Sequence, residues 1–520
     1  MTTETYRVIG PPGTGKTEAL RKTVEAWIAR DGYAPEDIVL TSFTRASAAV
    51  LAGRIAVPRE NIATLHALAY RALGSPPLAE KGDLAKRWNE GHQNNPEWQV
   101  DGGISSEDDG LTMPDAEVGL ALRIYSLARM TMLPIAHPYF HQTRDFAEAW
   151  EDWKHETGSI DFADMLELAL VEAPLLDKPV FIVDEAQDLV PMQWSLVKHW
   201  GSRVERLVVA GDPAQVLYSF VGARPDEILT PLEGEHLWPL VQSYRLPRAV
   251  QAHAERWLSR HSGPMMAGRE YRPRAAEGAV SYSPATWRDP EAVVDAIEQD
   301  ERDAMVLAPC AYMLQPVIAE LRSRGIPFAN KYRRSAGNWN PLASVTHRGG
   351  GGDTRKSTAR MIAAFVDDGE PAEWLPLVRA NTFLLRSAKK MIEEGGEPVE
   401  GLLRPEHRDA FAARDLRWLQ GRMLAEYARA AEYAVEVIQR NGTAVLKQEP
   451  RVTIGTFHSV KGGESRRVFL FPDLSFAGSA ERYASTAGAD AAIRLGYVGL
   501  TRASEDLVLC EAADPDRSLW

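Results

Sequence analysis

Gly10-Pro11-Pro12-Gly13-Thr14-Gly15-Lys16-Thr17 has the residue types and spacing of a phosphate-binding loop. Its glycines let the backbone curl until successive N–H groups face one point, where phosphate oxygens are held. Lys16 supplies a point charge for β- and γ-phosphates, and the Thr17 hydroxyl is suited to Mg²⁺. A second segment, Val183-Asp184-Glu185-Ala186-Gln187-Asp188, places acids directly after an apolar run. Two adjacent acids alone describe a solvated turn. Combined with a phosphate loop they describe hydrolysis, with Asp184 sharing Mg²⁺ with Thr17 and Glu185 orienting and deprotonating a water.

These groups need a scaffold that brings residues 10–17 and 184–185 together. Tyr6-Arg7-Val8-Ile9 reads as a strand before the loop, and the segment from Glu18 to Val24 as a helix after it. That helix adds the positive end of its dipole to the cradle. Strand patterns recur at 37–43, 180–183 and 206–210, with a further strand end over 61–66. Between 74 and 154 the strand rhythm gives way to tryptophans, prolines and an acidic loop at 105–110, read as a mostly helical insertion. A second α/β block opens near Gly278, with a strand at 304–308, a helix from Leu314 to Arg324 stopped by Gly325, and strands at 451–455 and 467–471. The glycines at 349–352 read as a hinge. Leu416, Leu419, Met423, Tyr427, Ala430, Ala434 and Ile438 read as one apolar face of a long helix within a helical stretch over 360–442. Strands alternating with helices predict parallel sheets.

Further segments, taken in order, carry a family resemblance. Thr41-Ser42-Phe43-Thr44-Arg45-Ala46 and Thr64-Leu65-His66-Ala67 resemble helicase motifs Ia and Ib. Gly211-Asp212-Pro213-Ala214-Gln215 with Tyr218-Ser219-Phe220 resembles motif III, and Gln242-Ser243-Tyr244-Arg245 motif IV. Thr456-Phe457-His458-Ser459-Val460-Lys461-Gly462-Gly463-Glu464 resembles motif V, and Tyr497-Val498-Gly499-Leu500-Thr501-Arg502-Ala503 motif VI. With the two nucleotide motifs they span residues 10–503 and are similar to the UvrD/PcrA/Rep group of superfamily 1 DNA helicases.

The resemblance implies an α/β protein of two RecA-like P-loop NTPase domains, each with a mostly helical insertion. The boundaries expected are 1–73 and 155–262 for the first domain, 74–154 for its insertion, 263–345 and 450–520 for the second, and 346–449 for its insertion. ATP is expected in the cleft between them, held by Gly10 to Thr17, with Gln215 sensing the γ-phosphate and Arg245 and Arg502 reaching it from opposite sides. Tyr244 is expected to stack on adenine, and Gly463 and Glu464 to lie at the ribose. Single-stranded DNA is expected against Phe43, Thr44, Arg45, His66, Tyr218, Phe220, Thr456, His458 and Lys461. The implied activity is ATP-dependent, Mg²⁺-dependent 3′ to 5′ translocation with strand separation at single-strand/duplex junctions. The alternatives are a translocase that displaces proteins with little unwinding, and a DNA-binding scaffold with an inactive ATP site.

The chain departs from the family pattern in several places. No glutamine precedes the loop to read adenine, so looser purine selectivity is expected. Motif III reads Asp212-Pro213-Ala214, and Phe220 stands where the family has tryptophan. Cys310 falls where an asparagine often meets DNA, and Gly463 where leucine is common.

Of 520 residues, 45% are hydrophobic and 25% charged, an ordinary globular composition. The net charge of −13 gives no global attraction for nucleic acid, so a polyanion site must be a local basic groove. The two cysteines, Cys310 and Cys510, form no metal-ligand spacing. A cytoplasmic protein with no membrane segment is expected, monomeric or weakly self-associating, with possible accessory replication or repair partners.

Overall fold

The computed structural model describes residues 3–100, 118–171, 176–219, 222–263, 270–330, 342, 345–346, 354–355, 357–385 and 399–520. Two sheets organise them, each of six parallel strands. The first is built from β1 (Glu4–Ile9), β2 (Ile38–Ser42), β3 (Ile62–Ala63), β4 (Val180–Asp184), β5 (Arg206–Gly211) and β6 (Glu235–Pro239), in the order β3-β2-β4-β5-β1-β6. Because β4, β5 and β1 are neighbours and run the same way, the residues after Ile9, Asp184 and Gly211 emerge at one edge. Carboxyl edges of parallel sheets are where ligands bind in α/β folds.

The second sheet contains β7 (Ala279–Ser283), β8 (Ala304–Ala308) and β9 (Phe328–Asn330). After a short pair, β10 (Val345–Thr346) with β11 (Thr354–Arg355), it is completed by β12 (Val452–Thr456), β13 (Ser465–Leu470) and β14 (Ala503–Cys510). Its order is β7-β14-β13-β8-β12-β9. Strands β2, β4 and β8 are buried along their whole length, which explains their unbroken apolar character. The two α/β lobes are as expected. No helix among the described residues is long and apolar enough to cross a membrane.

Three sequence readings change. The apolar stripe over 416–438 is broken into helices Leu416–Gln420 and Ala425–Asn441. The chain turns between them because Arg379 N–H donates to the Arg422 carbonyl and Leu424 N–H to the Leu377 carbonyl. The buried face of the longer helix is Ala431, Ala434, Val435 and Ile438, while Ala430 is exposed. His66 lies on the helix Leu65–Ala72 rather than on a strand, since Thr64 caps that helix by accepting from Ala67 N–H. The acidic loop at 105–110 and the glycines at 349–352 lie outside the described residues.

A buried ionic cluster joins the helices between β3 and β4. Asp161, fully buried, accepts from Arg129 on helix Leu120–Met130 at 3.0 Å and from Lys154 on helix Arg144–Thr157 at 2.9 Å. The Trp150 indole donates to it at 3.0 Å. Arg129 also reaches Asp164 and Glu167 on helix Phe162–Val171. Oxygens of Glu151, Asp161 and Asp164 lie close enough to share a cation, but Arg129 and Lys154 already neutralise them. Burial pushes the Asp161 carboxyl upward, yet Arg129 and Lys154 outweigh it and bring it down to about 2. Asp161→Ala is therefore expected to destabilise the first lobe by about 3–5 kcal/mol, because it strands two buried cations. A shift of the urea midpoint checks this. In the unmutated protein a depressed carboxyl contributes fully above its ordinary value of 3.8, and its share is lost as pH falls toward 2.

Candidate nucleotide and nucleic-acid site

Gly13 and Gly15 adopt φ of +74° and +79°, which curls the loop before helix Lys16–Ala26. A Cβ on Gly13 would lie 2.5 Å from the Arg245 Cβ, so the loop and the Gln242–Arg245 segment fit only through that glycine. The join is hydrogen-bonded as well. Tyr244 N–H donates to the Gly13 carbonyl at 2.8 Å, and the Ser243 and Tyr271 hydroxyls donate to the Pro12 carbonyl. Thr14 donates to the Pro11 carbonyl, and Lys16 Nζ folds back to the Gly10 carbonyl at 2.8 Å. Pro11 and Pro12 are buried, and Thr17 is partly buried on the first turn of the helix. Tyr244 is 74% exposed, with its ring edge 3.8 Å from where a Gly15 Cβ would stand. It is therefore an open aromatic face beside the phosphate loop and not a core residue. Tyr244→Ala is expected to raise KM for ATP by about tenfold with kcat little changed, an effect of lost stacking on the ground state and transition state alike. Steady-state ATPase titrations check it.

The acids lie across the same edge. Asp184 is 5% exposed, and burial together with the neighbouring Glu185 pushes its carboxyl up to about 7. Glu185 has a left-handed backbone, φ 54° and ψ 35°, an uncommon conformation for a non-glycine residue and one concentrated at functional sites. Burial works against its charge, but Lys461 and Lys16 outweigh that and bring its carboxyl down to about 2. Beside Asp184 in the sheet register, Ser42 keeps a buried hydroxyl with no hydrogen-bond partner among the described residues. Two desolvated acids, an unsatisfied hydroxyl and Thr17 are a donor set that fits a hard divalent cation such as Mg²⁺.

Gln187 ties this edge together. Its side-chain amide donates to Glu185 at 2.5 Å, and its side-chain carbonyl accepts from Asp212 N–H at 3.0 Å. A Cβ on Gly211 would sit 2.2 Å from that carbonyl, which is why glycine precedes Asp212. Asp212 in turn accepts from the Gln215 amide at 2.8 Å.

The second lobe closes on these groups. Arg502, 1% exposed, donates to Gln215 Oε1 at 3.0 Å, to the carbonyls of Val498 (2.8 Å) and Gly463 (3.1 Å), and to the Thr501 hydroxyl. All four acceptors are neutral. Burial and nearby Arg245 both weaken its hold on the proton. A desolvated guanidinium without a carboxylate is costly, and an anion arriving beside Gln215 relieves the cost. Arg245 is tied at 2.5 Å to Glu464, which is 56% exposed along its side chain. The two residues expected at the γ-phosphate and the ribose thus hold each other, and Gly463 contributes its carbonyl to Arg502.

The residues expected at DNA divide. Phe43 and Tyr218 are buried and pack on each other, ring centroids 4.8 Å apart, so neither presents an open face to a base. Both belong to the core beneath the helix Thr486–Leu500, whose Val498 packs with them. Thr44 caps helix Arg45–Ala52 by accepting from Ser47 N–H, Arg45 is exposed on its first turn, and His66 packs edge-on to Phe162. Thr456 caps the turn after β12 by accepting from Ser459 N–H. His458 lies 6.1 Å from the Tyr218 ring, and burial lowers its imidazole to about 4. Lys461 is the clearest correction. Its ammonium is paired with Asp188 and lies 3.4 Å from Glu185, because three buried acids at one edge demand a counter-charge. Phe220 lies outside the described residues.

Sequence reasoning assigned no role to Gln187, Asp188, Ser243 or Tyr271. The first three stand inside quoted motifs, where a buried polar residue beside a ligand-binding one is the usable signal. Tyr271 lies in no motif, and nothing in the sequence points to it.

A phosphate cradle and paired acids on one parallel sheet, met by an arginine from a second, define a two-lobed P-loop nucleotide-binding protein. Residues 1–233 match the UvrD/REP helicase N-terminal domain, and the chain is UvrD-like, as the order of its motifs indicates. A relative in Bacillus subtilis (strain 168), described as a putative ATP-dependent DNA helicase, YjcD, is 27% identical over 247 residues. That match takes in 43% of this chain and 32% of the relative, so the shared stretch spans about a third of the relative's length.

Proposed function

We propose that the protein is an ATP-dependent DNA helicase that moves 3′ to 5′ along single-stranded DNA, driven by closure of two RecA-like domains. The observation that carries this reading is the buried Arg502–Gln215 contact, in which a guanidinium of one lobe grips the glutamine beside the other lobe's phosphate loop and acids. A charge placed there stabilises the transferring phosphoryl only while the lobes are together, which couples turnover to closure. In this scheme residues Gly10 to Thr17 cradle the phosphates, Thr17 and Asp184 hold Mg²⁺, and Tyr244 stacks on the base. Mg²⁺, when bound, neutralises charge on the phosphates. Glu185 accepts the proton of the attacking water, Gln215 senses the γ-phosphate, and Arg502 and Arg245 meet the charge that develops on it. Arg245 reaches the phosphate once it exchanges Glu464 for it, and Glu464 is then released to the ribose hydroxyls.

The proposed division is 1–73 with 155–262 and 263–345 with 450–520 for the two motor domains, with insertions at 74–154 and 346–449. The track is single-stranded DNA, approached at junctions by a monomeric cytoplasmic protein. The test is unwinding of matched 3′-tailed and 5′-tailed duplexes with ATP and Mg²⁺. Release from the 3′-tailed duplex alone is expected. Release from the 5′-tailed duplex alone refutes the polarity, and ATP turnover without release from either favours a translocase.

A further inference from the structure

The helix Thr486–Leu500 belongs to the second lobe, yet two arginines carried by it and the turn after it reach into the first. Arg502 holds Gln215, as described above. Two turns earlier, Arg494 donates to the Ser219 hydroxyl at 3.1 Å and to His261 Nε2 at 2.7 Å. Gln215 and Ser219 are the two ends of one five-residue segment, whose near end faces the nucleotide and whose far end leads to Phe220. The second lobe therefore grips this segment at two points with one rigid element.

Arg494 is 5% exposed, and its Nε has no hydrogen-bond partner among the described residues. Burial weakens its hold on the proton, and no ion pair within 4.0 Å compensates it. Asp490, one turn back on the helix, is occupied instead by the N–H and hydroxyl of Ser262. A buried, incompletely satisfied guanidinium opposes folding, and a hydrophobic side chain of its size would fill the position at lower cost. The helix is in addition held close on its other side. A Cβ on Gly496 would lie 2.8 Å from the Trp257 indole, and one on Gly499 3.2 Å from the Phe457 ring. It therefore moves as a body, and displacement at Arg494 is displacement at Arg502.

We propose that Arg494 is a positioning residue that transmits nucleic-acid occupancy at the far end of this segment to Arg502, making ATP turnover DNA-dependent. The proposal rests on the helicase reading above and adds the element that links its two sites. Arg494 touches neither nucleotide nor DNA, and acts through Ser219 and the helix.

The experiment uses the full chain and oligo-dT as the DNA probe. Arg494→Lys, Arg494→Met and Ser219→Ala are compared with wild type for kcat and KM of ATP hydrolysis, with and without DNA, and for oligo-dT affinity by fluorescence anisotropy. Expected is a fall of about tenfold or more in DNA-stimulated kcat for Arg494→Met and Ser219→Ala, the size of an ordinary coupling between sites. DNA-free kcat, KM and oligo-dT affinity should stay within about twofold, and Arg494→Lys should recover part of the loss. Ser219→Ala removes one hydroxyl, so it reports even if Arg494→Met does not fold. Stimulated rates within twofold of wild type in Ser219→Ala overturn the proposal, as does an equal loss of DNA-free and stimulated rates, which marks a merely structural role. A wild-type ATPase that DNA does not stimulate refutes the helicase reading itself, a result distinct from either.

Discussion

Arg502→Lys is expected to lower DNA-stimulated ATP turnover by about 10³-fold or more, within the span of about 10³–10⁵ associated with an arginine that meets a transferring phosphoryl. Nucleotide affinity should change by no more than a few-fold, because the cradle from Gly10 to Thr17 belongs to the other lobe. The reason for so large an effect lies in the four neutral acceptors around the guanidinium. They fix its plane and leave its charge uncancelled, so it is oriented before the phosphate arrives and needs no rearrangement when charge develops. Lysine keeps the charge but offers no planar fork to span Val498, Gly463 and Gln215 together. Single-turnover hydrolysis measured beside binding of a fluorescent nucleotide checks both halves. A rate within tenfold of wild type would mean that Arg502 only braces the lobes.

The second large effect is expected at Glu185. Glu185→Gln should reduce the hydrolysis step by about 10²–10⁴-fold, the usual contribution of a positioned general base. The substitution leaves Lys16 and Asp184 in place, so ATP should still bind. With Lys461 and Lys16 holding the Glu185 carboxyl to about 2, it is ionised throughout the working pH range. Any acid-side loss of rate near neutrality must then come from another group. Lys461 keeps Asp188 as a partner in this variant, so the edge should stay assembled, and circular dichroism and thermal melting should match wild type. Equal hydrolysis rates for Glu185→Gln and wild type would remove the water-activating role.

Much of this site was legible because its chemistry depends on short contiguous runs. A phosphate loop needs its glycines and lysine at fixed spacing, and an apolar strand ending in Asp184-Glu185 needs no tertiary information to be recognised. What could not be read was which polar groups face one another across the cleft. Lys461 and Arg502 are both cations within motifs, yet one is spent on Asp188 and the other is left among carbonyls. That difference arises from the packing of the second sheet against the first. Phe43 illustrates the same limit from the apolar side, since an aromatic residue at a strand end suits a base or a core equally well. Here Tyr218 and Val498, distant in sequence, take its faces. The stripe over 416–438 failed for a local reason, as periodicity persists across a turn whose hydrogen bonds are made by Arg379 and Leu377, partners that no window of sequence contains.

The knot of Asp161 with Arg129 and Lys154 bears on how force would be applied to a duplex. Helices Leu120–Met130 and Arg144–Thr157 are fastened through it to helix Phe162–Val171, whose Met165, Leu166 and Ala169 are sunk in the core under β4. An arm on a swivel would dissipate a push as bending, whereas these helices are anchored like a ploughshare bolted to its frame. Each stroke of the first lobe carries them forward without lag.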